Sequence, residues 1–187
     1  AEVTGIAKSD EQTTTQQTET ETQGVPVEEV DLPTDVISEE GISPVSIENQ
    51  VMVRPINGEI LNTFSDGELM KSKTLNVWKT HDGVDITGAL NEKVKSMTSG
   101  TVINVYDDPM LGATVIIDHG NGLEGYYSNL SKDVNVVVGD KVSAGTVIGS
   151  IGNTAEGEIS EEPHLHFAVK KNTEWIDPIS LISGEGS

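Results

Sequence analysis

The chain has 187 residues, 35% of them hydrophobic, and a formal net charge of −20, with four histidines and no cysteine. Such acidity argues against binding to nucleic acid or anionic lipid, whose phosphates would repel it. Without thiols there is no disulfide framework and no thiolate metal site, and no run approaches the ~20 apolar residues of a membrane span.

The charge is concentrated at the start. Residues 1–50 hold twelve acids against Lys8 alone, have no aromatic residue, and include the low-complexity run "SDEQTTTQQTETETQG". A segment of this kind buries too little surface to offset the entropy of ordering it, so residues 1–50 are expected to be a flexible acidic stalk. Its second half, "VPVEEVDLPTDVISEEGISPVSI", carries scattered Val, Ile and Pro and suits an extended strand. The chain opens on Ala1, a start compatible with an anchor or signal ahead of it.

From Val51 to the end the texture changes. "GEILNTF", "GTVINVY", "ATVIIDH", "GLEGYYSNL", "GTVIGSIG" and "HLHFAVKK" are short runs rich in Val, Ile, Thr and Tyr, separated by turn sequences such as "DHGNG" and "VGDK". Residues 51–187 therefore predict a mainly β domain, an antiparallel sandwich or partly open barrel. Helix is expected only as a turn near "DGELMKSK" and a short piece at "DPISLI".

Three of the four histidines stand in two motifs. On a strand, residues i and i+2 share a face, so His164 and His166 project together about 7 Å apart. That is too far for both rings to meet one metal in the same way. It suits one ring as a ligand and the other above a bound water. Upstream, "THDGVDITG" places His81 and Asp85 around a glycine, where an imidazole and a carboxylate can converge on one cation. Two histidines and a carboxylate with one open position form a known catalytic zinc set. His119, in the turn "IIDHGNG", reads as a turn histidine bonded to backbone. The run "VVVGDKVSAGTVIGSIG" has the look of a carrier-domain hairpin, but Lys141 lacks the setting such a lysine needs, and the likeness is one of β architecture.

"HDGVD", followed some 80 positions later by "PHLHF", resembles the LytM/lysostaphin-type zinc metallopeptidases, the β-lytic group that cleaves peptidoglycan cross-bridges. The resemblance spans roughly Arg54 to Leu181. It implies that His81, Asp85 and His166 ligate zinc and that His164 is a catalytic histidine beside the metal-bound water. The family also carries a second catalytic histidine in a Tyr-x-His-Leu motif. The matching stretch here is "YYSNL", with Asn129 in the histidine's place. An amide cannot exchange a proton near neutral pH, and acid–base help is typically worth about 10²–10⁴-fold.

A narrower resemblance, to the sporulation members of that family, rests on "SKTLNVWKTHDGVDI", "DDPMLGATV" and the non-histidine at 129. It implies a single-pass forespore membrane protein whose domain faces the intermembrane space. The implied partner is stage III sporulation protein AH or a protein like it, on the mother-cell side, in an engulfment and channel complex. On this reading the zinc site is kept, His164 is vestigial and catalysis is lost. The alternatives are an active zinc endopeptidase acting on peptidoglycan peptides and a β binding module without metal.

Overall fold

The alternation in "HLHFAVKK" organises the domain. The structure, a computed structural model, describes residues 50–182, all within one compact unit. Apart from Gln50, the stalk expected over residues 1–50 lies outside the described residues. Twelve strands follow: β1 Ile60–Asn62, β2 Met70–Lys71, β3 Trp78–Lys79, β4 Gly83–Thr87, β5 Lys93–Lys95, β6 Gly100–Asp108, β7 Gly112–Asp118, β8 Leu123–Leu130, β9 Lys141–Val142, β10 Val147–Ser150, β11 His164–Lys171 and β12 Glu174–Ile176. A single helical turn, α1 (Ile179–Ile182), closes the described region, at the "DPISLI" expected to be helical.

Eight strands form one open antiparallel sheet in the order β1–β4–β11–β8–β7–β6–β9, with β12 beside the far half of β11. Two ribbons, β5–β10 and β2–β3, stand apart from it. The β7–β8 hairpin turns through Gly120, Asn121 and Gly122, all at positive φ, which is where glycine and asparagine cost least. This is the mainly antiparallel β architecture the sequence pattern predicts.

Side-chain period 2 divides the sheet into two faces. Val84 and Ile86 of β4, Leu165, Phe167 and Val169 of β11, Leu123 and Tyr127 of β8, and Val115 and Ile117 of β7 are buried in one apolar core. The β5–β10 ribbon adds Val94 and Ile148 to the same core. Residues between them in sequence point to the other face: Asp85, His164, His166, Ser128 and Thr114, all buried and all polar. The sheet thus carries its hydrophobic cluster on one side and its polar chemistry on the other.

His119 belongs to neither group. Its ring is buried, Nδ1 lies 2.9 Å from the Ser99 carbonyl, and the Tyr127 hydroxyl lies 3.4 Å from Nε2. The same hydroxyl accepts a 2.8 Å bond from the Met97 amide. Gly125 makes the room, since a Cβ there would sit 2.8 Å from His119 Nε2. The backbone bond is the one expected of this turn histidine. Burial pushes its pKa below the ordinary 6.5, only partly opposed by the Ser99 bond and the Asp118 charge. The folded state therefore favours the neutral ring. Its contribution is complete above the unfolded-state pKa and is lost as pH falls through the lowered folded value. Urea denaturation at pH 7 and pH 5 should show a larger acid loss in the wild type than in His119→Gln.

Candidate metal centre

Asp85 and His166 are direct cross-strand partners on the β4–β11 pair, so their side chains rise from the same face. His166 Nδ1 lies 2.8 Å from Asp85 Oδ1. His81 reaches the same oxygen from just before β4, at 3.2 Å from Nε2. Its aim is set locally: Ser65 Oγ accepts the His81 backbone N–H at 2.9 Å, and Nδ1–H donates to the Thr63 carbonyl at 2.8 Å. That second bond leaves Nε2 facing the cluster, as outer partners of metal-binding histidines commonly do. Asn62 donates to the other Asp85 oxygen at 2.9 Å.

The glycine of "HDGVD" makes room for the β11 backbone and, beside it, a ring. Gly83 is not at positive φ, but a Cβ on it would lie 3.1 Å from His166 Nε2 and 2.6 Å from the Phe167 carbonyl. Any larger residue would clash first with the Phe167 carbonyl and would also crowd the His166 ring.

His81 Nε2 and His166 Nδ1 face each other at 3.3 Å. Zinc–nitrogen bonds of ~2.0–2.1 Å would put two tetrahedral ligands roughly 3.3 Å apart. Two ring nitrogens and a carboxylate oxygen around one point suit a borderline cation of the zinc type. The electrostatics agree. Burial alone would raise the Asp85 pKa, yet hydrogen bonds from His166 and His81 and their charges hold it far below the usual carboxylate range. For His81, burial opposes protonation, but the Asp85 bond and charge outweigh it and the pKa is raised. The site is built for positive charge at its centre.

His164 stands next in line on β11. Its Nδ1 lies 2.6 Å from the Glu162 carbonyl, and its Nε2 is 3.3 Å from Glu158 Oε2 and 3.9 Å from Asp85 Oδ1. Both nitrogens face acceptors, a setting that only the imidazolium satisfies. Burial again works against the charge, and the Glu158 bond and Asp85 charge overcome it, so this pKa too is raised.

Asn129 faces the backbone. The β7–β8 register shifts between Ala113↔Leu130 and Val115↔Tyr127, which leaves an extra residue in β8, and Asn129 takes φ 60° there. Such a bulge re-aims a side chain. The Asn129 Oδ1 accepts the amides of Thr154 and Ala155 at 3.0 and 3.1 Å, and Nδ2 donates to the His164 carbonyl at 3.0 Å. The β8 side chain beside His166 is instead Ser128, paired with it across β8–β11 and bonded to Thr114 at 2.9 Å.

A second acid of the cluster was not singled out in the sequence. Glu158 is 6% exposed, and one of its oxygens, with the ligating atoms of His81, Asp85 and His166, completes a set lying within 4.8 Å of one another. Its only sequence signal is the acid-rich "AEGEISEE" ahead of "PHLHF", where nothing marks one acid among four. Two clefts flank the cluster. One is walled by Met70, Ser72, Lys79 and Glu161, the other by Leu111, Tyr126, Ser128 and Trp175.

Asn129→Ala removes three bonds to buried backbone groups. Each unsatisfied group costs about 1–3 kcal/mol, so chemical denaturation should show a loss of at least about 2 kcal/mol. A loss within experimental error would show that the amide does not hold this joint.

Known proteins resemble this chain in both sequence and fold. Stage II sporulation protein Q of Bacillus subtilis is 33% identical over 109 residues, which is 57% of this chain and 38% of that protein. A chain of the SpoIIQ–SpoIIIAH pore-forming complex superposes with a TM-score of 0.61 at 25% identity, covering 74% of this chain and 99% of that one. The catalytic domain of the antimicrobial peptidase lysostaphin from Staphylococcus simulans gives 0.57 at 28% identity, over 68% and 94%. Residues 79–178 match peptidase family M23, over half of the chain and from β3 to the turn ahead of α1; the chain belongs to that family.

Proposed function

We propose that this M23 domain is the ectodomain of a forespore membrane protein that binds zinc through His81, Asp85 and His166 and engages a partner of the stage III sporulation protein AH type, without hydrolysing peptidoglycan. The likeness to stage II sporulation protein Q in sequence, and to a chain of its complex with SpoIIIAH in fold, supports the partner. The domain sits in the space between forespore and mother cell on this reading, held by a membrane anchor. Among the described residues no helix is long and apolar enough to cross a membrane.

The observation that carries the loss of catalysis is Asn129. It stands in the slot of the family's second catalytic histidine, it cannot shuttle a proton, and its amide is engaged by three backbone groups. When bound, zinc would supply Lewis-acid activation of a water and a carbonyl. His164 would then have to serve as both base and acid from one side, and its Nε2 is already committed to Glu158. The open sheet offers β1 and β9 as edges, and strand addition to such an edge satisfies main-chain groups that are otherwise left to water.

An active endopeptidase is the second reading. It is favoured by the three donors and His164 lying together on one face, with Asn129 reduced to a structural role.

One experiment tests the first reading. Zinc-loaded protein, mixed at tens of micromolar with the soluble region of a stage III sporulation protein AH, is run on size-exclusion with metal content measured in each peak. A complex carrying one zinc per chain is expected, and His81→Ala should lose the stoichiometric zinc. Two separate peaks, or full zinc occupancy in His81→Ala, would contradict it.

A further inference from the structure

We propose that Glu158 is a fourth protein ligand of the metal, so that this centre is closed by the chain where a hydrolytic centre leaves a position to water. The inference rests on the metal reading above and goes beyond it by assigning the open position.

Position is the first support. Glu158 Oε1 lies 3.8 Å from His166 Nδ1, and Oε2 lies 3.3 Å from His164 Nε2. The carboxylate therefore sits between the two histidines of "HLH", over the sheet face that holds Asp85. A water serving as nucleophile would need that same space. Catalytic zinc sites keep three protein ligands and one open position, whereas closed four-ligand sites are structural.

The second support is how the carboxylate is held there. Glu158 ends a 3₁₀ turn, Glu156–Glu158, that directly follows Ala155. The amides of Thr154 and Ala155 are gripped by Asn129 Oδ1. Gly157 N–H bonds the Met110 carbonyl at 3.0 Å, and a Cβ at Gly157 would lie 2.9 Å from that oxygen. Glu158 N–H bonds the Ala155 carbonyl at 3.1 Å. The turn is fixed on both sides, and its last side chain points at the cluster. Asn129 and Glu158 thus act as one device. The residue in the catalytic-histidine slot anchors the turn that inserts the acid.

Charge is the third support. Two carboxylates offset the two charges of a divalent cation held with neutral His81 and His166 rings, which lowers the cost of burying it. Lys79 approaches Oε1 at 3.5 Å from the cleft side and is partly exposed, while His164 steadies Oε2. Both contacts orient the carboxylate as outer partners do.

Cobalt(II) in place of zinc gives a visible spectrum that reports ligand number, and azide probes for an open position. Wild type, Glu158→Gln and Glu158→Asp are loaded with cobalt, titrated with azide, and compared for zinc affinity against a chromophoric chelator. Thermal melts of the metal-free proteins confirm folding. We expect one cobalt per wild-type chain with a tetrahedral spectrum unmoved by azide. Glu158→Gln should bind at least about tenfold more weakly, the loss that outer partners alone can cause, and its spectrum should shift with azide. Glu158→Asp keeps the charge but is too short to reach, so it should behave like the Gln variant. Wild-type affinity retained in Glu158→Asp would mean that only charge matters and would overturn the ligand assignment. An azide shift in the wild type, with one cobalt bound, would also overturn it while leaving the metal site standing. Failure of the wild type to bind cobalt or zinc at all would sink the site itself.

Discussion

The contact between Asp85 and His166, 2.8 Å across the β4–β11 pair, is the constraint on which the rest of the site depends. A carboxylate 1% exposed in the middle of a sheet is tolerable only if it is paired, and removing one partner of a buried pair typically costs about 3–5 kcal/mol. The surrounding structure supplies partners from every direction: His81 from the segment before β4, Asn62 from β1, and His166 from β11. The apolar residues between them in sequence hold those strands in register from the opposite face. Core and site are two faces of one period-2 pattern, so a one-residue slip of β11 against β4 would invert both.

Much of this was legible in the residues themselves. The short β-rich runs and their turns gave the antiparallel architecture, because alternation and turn chemistry are local properties. The "HDGVD" and "HLH" motifs were legible for the same reason: spacing on a strand fixes which side chains share a face. Gly83 gives clearance to the Phe167 carbonyl of β11 and, less tightly, to the His166 ring, a long-range contact that no local pattern reveals. The aim of Asn129 was not legible, since the β8 bulge that turns it toward residues 154–155 depends on pairing with β7. Glu158 was missed altogether. It reaches the cluster through a turn whose conformation is set by Asn129 and Met110, both distant in sequence.

These features separate what holding a cation requires from what hydrolysis requires. The cation-binding face needs only Asp85 and the two histidines, fixed by the sheet, and can persist under loss of activity because it also relieves buried charge. Proton transfer needs more: a titratable group on each side of the reacting centre and a position open to water. On the proposed reading the residue at 129 cannot supply the proton, and the acid at 158 fills the position. On that reading either change alone weakens hydrolysis, and together they favour holding a metal over turning over a substrate. The sheet edges and the clefts beside the cluster then remain for recognition, which needs fixed geometry and no chemistry.

The central claim is that the metal is retained without hydrolysis. Its most direct test is to incubate the zinc-loaded wild-type protein with purified cell walls and quantify the soluble peptidoglycan peptides released, beside a metal-free control. The account predicts release indistinguishable from the control at full zinc occupancy. Robust, zinc-dependent release by the wild-type chain would contradict it and identify the domain as a working endopeptidase.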